Sequence, residues 1–203
     1  MSRSKDMCVA SRDSDSKNIF PKCLSGKHIT PIPLGNLGSS SESIIFFREL
    51  QFNMQWQIQS NWCWAAVSVS VGLYFNTGFW TQCNVADKQL KRSTCCSFPG
   101  PCNVYGYLDQ ALMYTRSLAS FYTNLMNMSE IKAQIDVGRP ICLRCAWYGG
   151  GAHFLAVIGY NSVTGNISVV DSIYGNSIQS FSLFPVSYNG GGNWTHTYLT
   201  RRN

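Results

Sequence analysis

The chain has 203 residues, of which 45% are hydrophobic and 13% are charged, so most of it can fold around a sizeable core. Its formal net charge of +6 comes from scattered basic residues with no interleaved aromatic residues, which argues against a nucleic-acid partner. No apolar stretch approaches the length of a membrane-spanning helix, so we expect no membrane partner either.

The first 44 residues are polar and Ser-rich, and they lack the apolar middle of a secretory signal peptide. Such a composition buries too little apolar surface to offset the entropy lost on ordering. We therefore predict a flexible leader at residues 1–44, either an export or pro-segment or without a role, and a folded domain at 45–203. The protein is expected to be secreted or delivered to a host cell without a cleaved hydrophobic signal, and otherwise cytoplasmic.

A helix is predicted to begin at Cys63, because Ala65 and Ala66 favour it, and to stop at Gly78. Apolar residues occur around most of its circumference, as in a buried central helix, although the Val-Ser alternation also fits a strand. Further helices are predicted at residues 83–92, 104–116 and 129–137, the last beginning at Ser129.

After Pro140 the pattern changes to short alternating or fully apolar runs separated by glycines, which predict strands. The runs are residues 141–148, 153–160, 166–174, 177–184 and 195–200. Helices first and strands second is the order expected of an α+β protein with segregated layers.

Cys63 is a candidate nucleophile, because a thiol at a helix N-terminus beside an imidazolium has a lowered pKa. A lone cysteine is, however, most often a small buried hydrophobe. Of the three histidines, His28 lies in the predicted leader and His196 in a strand near the C-terminus. His153 follows the small residues 149–152, which leave room for a substrate backbone, so it is the best candidate for the general base.

A catalytic histidine usually needs a third group that orients its ring. Asp171 is the only acidic residue after His153, and a hairpin turning at residues 161–165 would bring the two together. Taken alone, Asp171 fits equally well as a strand-end residue that caps a turn. Three asparagines remain as alternative orienting residues: Asn161, Asn166 and Asn176. Gln57 or Gln59 could donate to an oxyanion.

These segments resemble the motifs of papain-like cysteine proteases from about residue 50 to the C-terminus. QIQSNWCWAA at 57–66 is similar to the active-site signature of the bacterial branch related to bacteriocin-leader peptidases and plant-pathogen effector cysteine proteases. GGGAHFLAVIGY at 149–160 and VVD at 169–171 resemble the second and third motifs. Two positions depart from the pattern: Ala152 where a glycine often precedes the histidine, and Ser172 where proline or asparagine often follows the aspartate.

The resemblance implies a papain-like α+β fold with two lobes and an active-site cleft between them. The helical left lobe would carry Cys63 as nucleophile, and the antiparallel β right lobe would carry His153 as base and Asp171 as its orienting residue. Gln57 would donate to the oxyanion. The implied protein is a monomeric endopeptidase that acts on a protein or peptide through a thioester acyl-enzyme, with no metal or organic cofactor.

Three alternatives stay open at this point. The same apparatus could catalyse acyl transfer, deamidation or isopeptide cleavage, because all share the acyl-enzyme step. The chain could be a peptide-binding module that has lost turnover. It could also be a redox protein that uses the CxxC of Cys142 and Cys145, although no helix opens there as a thioredoxin-type motif requires.

Four further cysteines cluster after the candidate nucleophile: Cys83, Cys95, Cys96 and Cys102. They could form disulfides, bind a metal or remain reduced, and their spacing does not match a usual zinc site. We favour structural disulfides in an oxidising setting, or reduced packing if the protein works in a host cytosol.

Overall fold

The computed structural model of the protein describes residues 46–202, which belong to one compact unit. Within this part the helices are α1 (Cys63–Tyr74), α2 (Gln82–Leu90), α3 (Leu108–Tyr114), α4 (Met128–Asp136) and α5 (Phe184–Ser187). The strands are β1 (Phe47–Glu49), β2 (Leu118–Tyr122), β3 (Ile141–Trp147), β4 (Ala152–Asn161), β5 (Asn166–Asp171), β6 (Gly175–Ser180) and β7 (Gly192–Thr200). The predicted leader, with His28, Cys8 and Cys23, lies outside the described residues, so its boundary stays a prediction.

All strand pairs in the described part are antiparallel, and the strands form one sheet in the order β2-β7-β3-β4-β5-β6. The short β1 pairs with the end of β4 beyond the stretch that β3 covers. The chain is therefore an α+β protein, as the sequence predicts, with a seven-stranded antiparallel sheet and five helices in residues 46–202.

Helix α1 begins at Cys63 as predicted, and nearly all of its residues are buried. The Val-Ser alternation belongs to a helix, because the Ser68 and Ser70 hydroxyls donate to the carbonyls of Ala65 and Ala66. Hydroxyls bonded back to the preceding turn can be buried on a helix without an unpaired polar group. The helix ends at Tyr74 rather than at Gly78, and α1 packs against α2, α3 and β4.

The predicted helices at residues 83–92, 104–116 and 129–137 correspond to α2, α3 and α4, and their boundaries differ from the observed ones by one to four residues. Helix α4 is capped by Asn127, whose side chain accepts from the Glu130 N–H while the Glu130 carboxylate accepts from the Asn127 N–H. The predicted start at Ser129 therefore falls inside the first turn. Helix α3 begins at Leu108 rather than at Val104, whose carbonyl instead accepts a hydrogen bond from the Trp64 indole.

The five predicted strand segments correspond to β3–β7, and the hairpin between β4 and β5 turns where it was expected. Strand β2 lies between α3 and α4 in sequence and was not predicted, whereas β1 falls in the segment before Asn61, whose composition is partly strand-like. Both are short and largely exposed, so neither shows the apolar alternation that identifies a half-buried strand.

Two disulfides join the cysteine cluster, Cys83 to Cys96 and Cys95 to Cys102. Both closed loops follow α1 directly, so the structure agrees with the disulfide interpretation of the cluster. The unpaired cysteines of residues 46–202 are all buried: Cys63, Cys142 and Cys145. In the same part of the chain, no helix is long and apolar enough to cross a bilayer.

Candidate active site

Cys63 is the first residue of α1 and has 6% of its surface exposed. The first N–H groups of a helix have no partner within the helix, so its N-terminus favours negative charge. Cys63 also lines a cavity of about 460 Å³, whose walls come from the loop before α3 and from strands β3, β4 and β7. The thiol therefore lies where a helix terminus meets an open cavity.

The loop that leads into Cys63 is held by the segment that follows the second disulfide. The Asn103 amide oxygen accepts from the Asn61 N–H at 2.9 Å, and its nitrogen donates to the Ser60 hydroxyl at 2.9 Å. The indole N–H of Trp62, which is fully buried, donates to the Cys102 carbonyl at 2.7 Å. The position of the thiol therefore depends on the loop that the Cys95–Cys102 disulfide closes.

His153 lies near the start of β4, with 4% of its surface exposed. Its Nε2 donates to the Asp171 carboxylate at 2.8 Å. The Cys63 side chain lies close enough to the ring to raise its pKa, and because Nε2 is engaged by Asp171, the nitrogen left for the thiol is Nδ1. The Trp147 ring stacks on the imidazole with centroids 6.2 Å apart, and the Tyr174 ring meets it edge-on. His153 thus bridges Cys63 and Asp171 in a setting with little water.

Asp171 ends β5 opposite Leu155 of β4. His153 precedes Leu155 by two residues on the same strand, so His153 and Asp171 lie on the same face of the sheet. The same oxygen that receives the imidazole N–H also accepts from the backbone N–H groups of Ile173 and Tyr174, at 2.7 and 3.1 Å. Its other oxygen accepts from the buried hydroxyl of Tyr188 at 2.6 Å. Asp171 therefore caps the turn after β5 and also hydrogen-bonds His153, so the two interpretations of this residue do not exclude each other.

The electrostatics of the pair favour a charged histidine and a charged carboxylate. Burial alone would lower the pKa of His153, but the hydrogen bonds to Asp171 and Cys63 and their charges raise it to about 9. Burial alone would raise the pKa of Asp171, but the hydrogen bond and charge of His153, with those from Tyr188 and the Ile173 N–H, lower it overall. At neutral pH the arrangement is an imidazolium paired with a carboxylate.

Gln57 is tied to the residue that follows Asp171. Its backbone N–H donates to the Ser172 carbonyl at 3.1 Å, and its amide oxygen accepts from the Ser172 hydroxyl at 3.0 Å. Its amide nitrogen donates to the carbonyls of Gln59 and Ser60, at 3.0 and 2.7 Å. Gln57 is therefore fixed to the end of β5, while both of its N–H groups are occupied by the chain's own carbonyls.

The sequence model of one family, described as papain-like cysteine protease AvrRpt2, matches residues 46–189, well over half of the chain. The chain belongs to this family. It is therefore a papain-like cysteine peptidase with a protein substrate, and the matched segment contains Gln57, Cys63, His153 and Asp171.

Among solved structures, the chain is similar to xylellain, a cysteine protease from Xylella fastidiosa, with 13% sequence identity and a TM-score of 0.42. The likeness covers 79% of this chain and 88% of that chain. No curated protein sequence matches.

Of the alternative orienting residues, Asn161 and Asn166 lie at the turn of the β4–β5 hairpin, and Asn176 pairs with Val170 from β6. The Asn161 amide oxygen accepts from the turn N–H groups of Val163 and Thr164, and Asn166 pairs with it at the far end of the hairpin. His196 lines the cavity beside Cys63 but bonds the neighbouring Thr195 hydroxyl. Residues 46–202 contain no group of three histidine, cysteine or acidic side chains that could hold a metal ion.

Cys142 and Cys145 lie on β3, fully buried and unpaired. Being three residues apart on a strand, they point to opposite faces. Burial and the nearby Asp171 raise the pKa of Cys145 to about 12, and burial raises the pKa of Cys142 as well. Both are protonated thiols buried in the sheet at neutral pH, which argues against the redox alternative.

Sequence reasoning missed three residues that hold the site: Ser172, Tyr188 and Asn103. Ser172 is visible in the sequence only as a departure from the family pattern. Asn103 follows a disulfide cysteine in a segment without periodicity, and Tyr188 is one of ten tyrosines. No local pattern distinguishes them, because their partners are distant in the chain.

Proposed function

We propose that the peptidase hydrolyses peptide bonds with Cys63 as nucleophile, His153 as general base and Asp171 as the residue that orients His153. The proposal rests on one observation: a buried imidazole that hydrogen-bonds a carboxylate through Nε2 and lies beside the thiol of Cys63 at a helix N-terminus. A positioned base beside the nucleophile, itself held by a third group, is the arrangement that nucleophilic catalysis requires.

In the proposed reaction, the Cys63 sulfur attacks the scissile carbonyl carbon and its proton resides on His153. The tetrahedral intermediate collapses to a thioester as the imidazolium protonates the departing amine. Water then attacks the thioester, giving its proton to His153, and the acid leaves as the thiol is restored. Asp171 keeps Nε2 occupied, so that Nδ1 faces the sulfur in every step.

We propose that the oxyanion is stabilised by the Cys63 N–H and by the Gln57 amide. Ser172 supports this role, because it holds the amide oxygen of Gln57 and so turns the nitrogen away from the strand end. The longer of the two donations, to the Gln59 carbonyl at 3.0 Å, is the one that a substrate oxygen would replace. Preorganised donors of this kind contribute a large share of acyl-transfer catalysis.

The finer picture of the fold and setting is also a proposal. We place the substrate in a cleft between a helical lobe around α1 and a sheet lobe that carries His153 and Asp171, and we expect a monomeric enzyme. The two disulfides support an oxidising destination, since such bonds are rare in reduced cytosol. This favours a secreted bacterial enzyme over an effector that works in the reducing cytosol of a host cell.

The test is covalent labelling of the folded protein with a peptide-based, cysteine-directed inhibitor, located by mass spectrometry. Cys63 should be labelled rapidly, while Cys142 and Cys145 serve as internal controls and remain unmodified. His153→Ala should slow labelling at pH 6 by roughly a hundredfold, because the imidazolium no longer favours the thiolate. Equal labelling rates with and without His153 would contradict the proposal.

The same protein separates hydrolysis from acyl transfer. Once a cleaved peptide is known, it is incubated with the enzyme in the presence of a primary amine, and the products are identified by mass spectrometry. We expect the free acid to dominate; predominant amine incorporation would instead identify a transferase. Rapid labelling with no turnover of any peptide would favour the binding module.

A further inference from the structure

The cavity beside Cys63 combines aromatic walls with a single strong cation. Phe154 and Tyr198 line it from the sheet, and Trp64 and Tyr107 line it from the helical side. Arg144 lies among them, on the strand that pairs directly with the strand of His153. A permanently charged guanidinium in a largely aromatic cavity beside the proposed nucleophile calls for a physical reason.

The position of Arg144 is set by the sheet. It lies opposite Phe154 on one neighbouring strand and opposite His196 on the other, so the three side chains share one face. One guanidinium N–H donates to the Thr195 hydroxyl at 2.9 Å, and Thr195 in turn donates to the Arg144 carbonyl at 3.1 Å. The head group is therefore held in place by a neutral partner.

Arg144 has no anionic partner in the described part of the chain. The ion pairs of residues 46–202 are Lys132 with Asp136 and His153 with Asp171, and neither involves it. Burial and the charge of Arg144 both lower the pKa of His196, so this neighbour is neutral at pH 7. The charge of Asp109, on α3, contributes to the raised pKa of Tyr198, but Asp109 forms no ion pair with Arg144. Within residues 46–202, the cavity thus carries one positive charge that no ion pair neutralises.

We infer that this cavity binds a carboxylate side chain of the substrate, Glu or Asp, close to the scissile bond. Arg144 would form a charge-assisted, forked hydrogen bond to the carboxylate, and the aromatic walls would cover the aliphatic stem. Lys and Arg side chains would be rejected by like charge. The inference rests on the proposed function and deepens it by naming a substrate preference.

The test uses matched pairs of peptidyl fluoromethyl ketones, in which one inhibitor of each pair carries Glu and the other Gln at the same position. Three pairs are made, one for each of the three positions preceding the scissile bond. The rate of Cys63 alkylation is measured for each. At one position, Glu should react at least about tenfold faster than Gln in wild type, and Lys more slowly than either. Raising the salt concentration should reduce the Glu advantage only in part, because Arg144 is half-buried.

Variants at Arg144 then assign the preference to this residue. Arg144→Gln should bring the Glu/Gln ratio to about one, Arg144→Lys should keep part of it, and Arg144→Glu should favour Lys at the same position. Arg139→Gln, which removes a positive charge outside this cavity, is the matched control and should keep the wild-type ratio. Circular dichroism checks that each variant is folded.

The outcomes separate this inference from the proposed function. Rapid, His153-dependent labelling with equal Glu and Gln rates at every position would overturn the carboxylate site and leave the peptidase mechanism standing. Labelling no faster than that of free glutathione, and independent of His153, would contradict the mechanism, and the inference would fall with it.

Discussion

At the scale of single residues, the site is assembled by side chains that each satisfy more than one neighbour. Asp171 accepts from His153, from two backbone N–H groups and from Tyr188, so both of its buried oxygens are satisfied. A buried carboxylate with this many donors stays ionised, which in turn keeps the imidazole protonated. The cap of the turn after β5 and the charge of the His153 ring therefore both depend on the two carboxylate oxygens of Asp171.

The raised pKa of His153 predicts an alkaline limit to activity. Peptidase kcat/KM should fall as the pH rises through about 9, because His153 then loses its proton. Asp171→Asn removes the charge that raises this pKa. The alkaline fall in kcat/KM should therefore move to lower pH, and kcat should drop by at least about tenfold. A pH profile of kcat and kcat/KM measures both changes. Asp136→Asn is the control and should leave the alkaline fall at the wild-type pH.

The ion pair of His153 with Asp171 also stabilises the folded state, and this contribution decreases as the pH rises. Because the folded pKa of His153, about 9, exceeds the ordinary value of 6.5, its contribution is complete below pH 6.5 and is lost as the pH rises through about 9. It amounts to no more than about 3 kcal/mol. Urea unfolding at pH 6 and pH 10 should show a larger pH effect in wild type than in Asp171→Asn; equal effects would contradict the assignment.

Ser172 is predicted to act through Gln57. Ser172→Ala removes the hydroxyl that holds the Gln57 amide oxygen, so kcat should fall roughly three- to thirtyfold with a smaller change in KM. In a Gln57→Ala background, the same substitution should have almost no further effect, as expected for two residues that act as one unit. Ser180→Ala, on an exposed serine, is the control. Additive losses would show that Ser172 acts on something else.

At the scale of elements, the segment between α2 and α3 supports the start of α1. Two disulfides close it, and its carbonyl and amide groups receive Trp62 and Asn61 just before Cys63. A loop-rich segment with little periodic structure needs such cross-links to hold a fixed geometry. Cys63, the proposed nucleophile, is thus placed by a helix whose N-terminal end is anchored by a separate segment.

Reduction of the disulfides should destabilise the protein. Each closes a short loop, so the free energy of unfolding should fall by about 2–3 kcal/mol for each bond lost. Urea unfolding with and without a phosphine reductant measures this. A quadruple variant with alanine at positions 83, 95, 96 and 102 should be insensitive to the reductant. Unchanged stability of the wild type on reduction would contradict the prediction.

Gly106 is predicted to be essential for the wall of the cavity. A Cβ at this position would lie 2.4 Å from a Trp64 ring atom, so Gly106→Ala must push the ring or the loop aside. The free energy of unfolding should fall by about 1–3 kcal/mol, and Cys63 labelling by peptide inhibitors should slow. Gly149→Ala, where a Cβ would meet nothing within 4 Å, is the matched control. Equal effects of the two substitutions would contradict the packing argument.

At the scale of the whole molecule, the site joins parts that are far apart in sequence. Cys63 comes from the central helix, whereas His153 and Asp171 come from neighbouring strands of the sheet. Helix α1 packs on β4, the strand that carries His153, so the shared core sets the distance between thiol and imidazole. The site therefore exists only when helices and sheet are packed together.

The domain boundary gives a prediction at this scale. A chain lacking residues 1–44 should fold with a free energy of unfolding within about 1 kcal/mol of the full chain and should keep rapid Cys63 labelling. The reason is that β1 begins at Phe47 and the core residues lie beyond it. Denaturation and labelling of both chains test this; a loss above about 3 kcal/mol would place part of the core in the leader.

The sequence by itself determined the features that depend on local order: the helix start at Cys63, the α+β class and the hairpin that brings Asp171 beside His153. Helical propensity, apolar alternation and turn residues act over a few positions, so they can be read without the fold. Only the tertiary structure decided the cysteine pairing, the link from Ser172 to Gln57, the bond from Tyr188 to Asp171 and the isolated charge of Arg144. Each of these joins residues distant in the chain, and such contacts form because a common core brings them together.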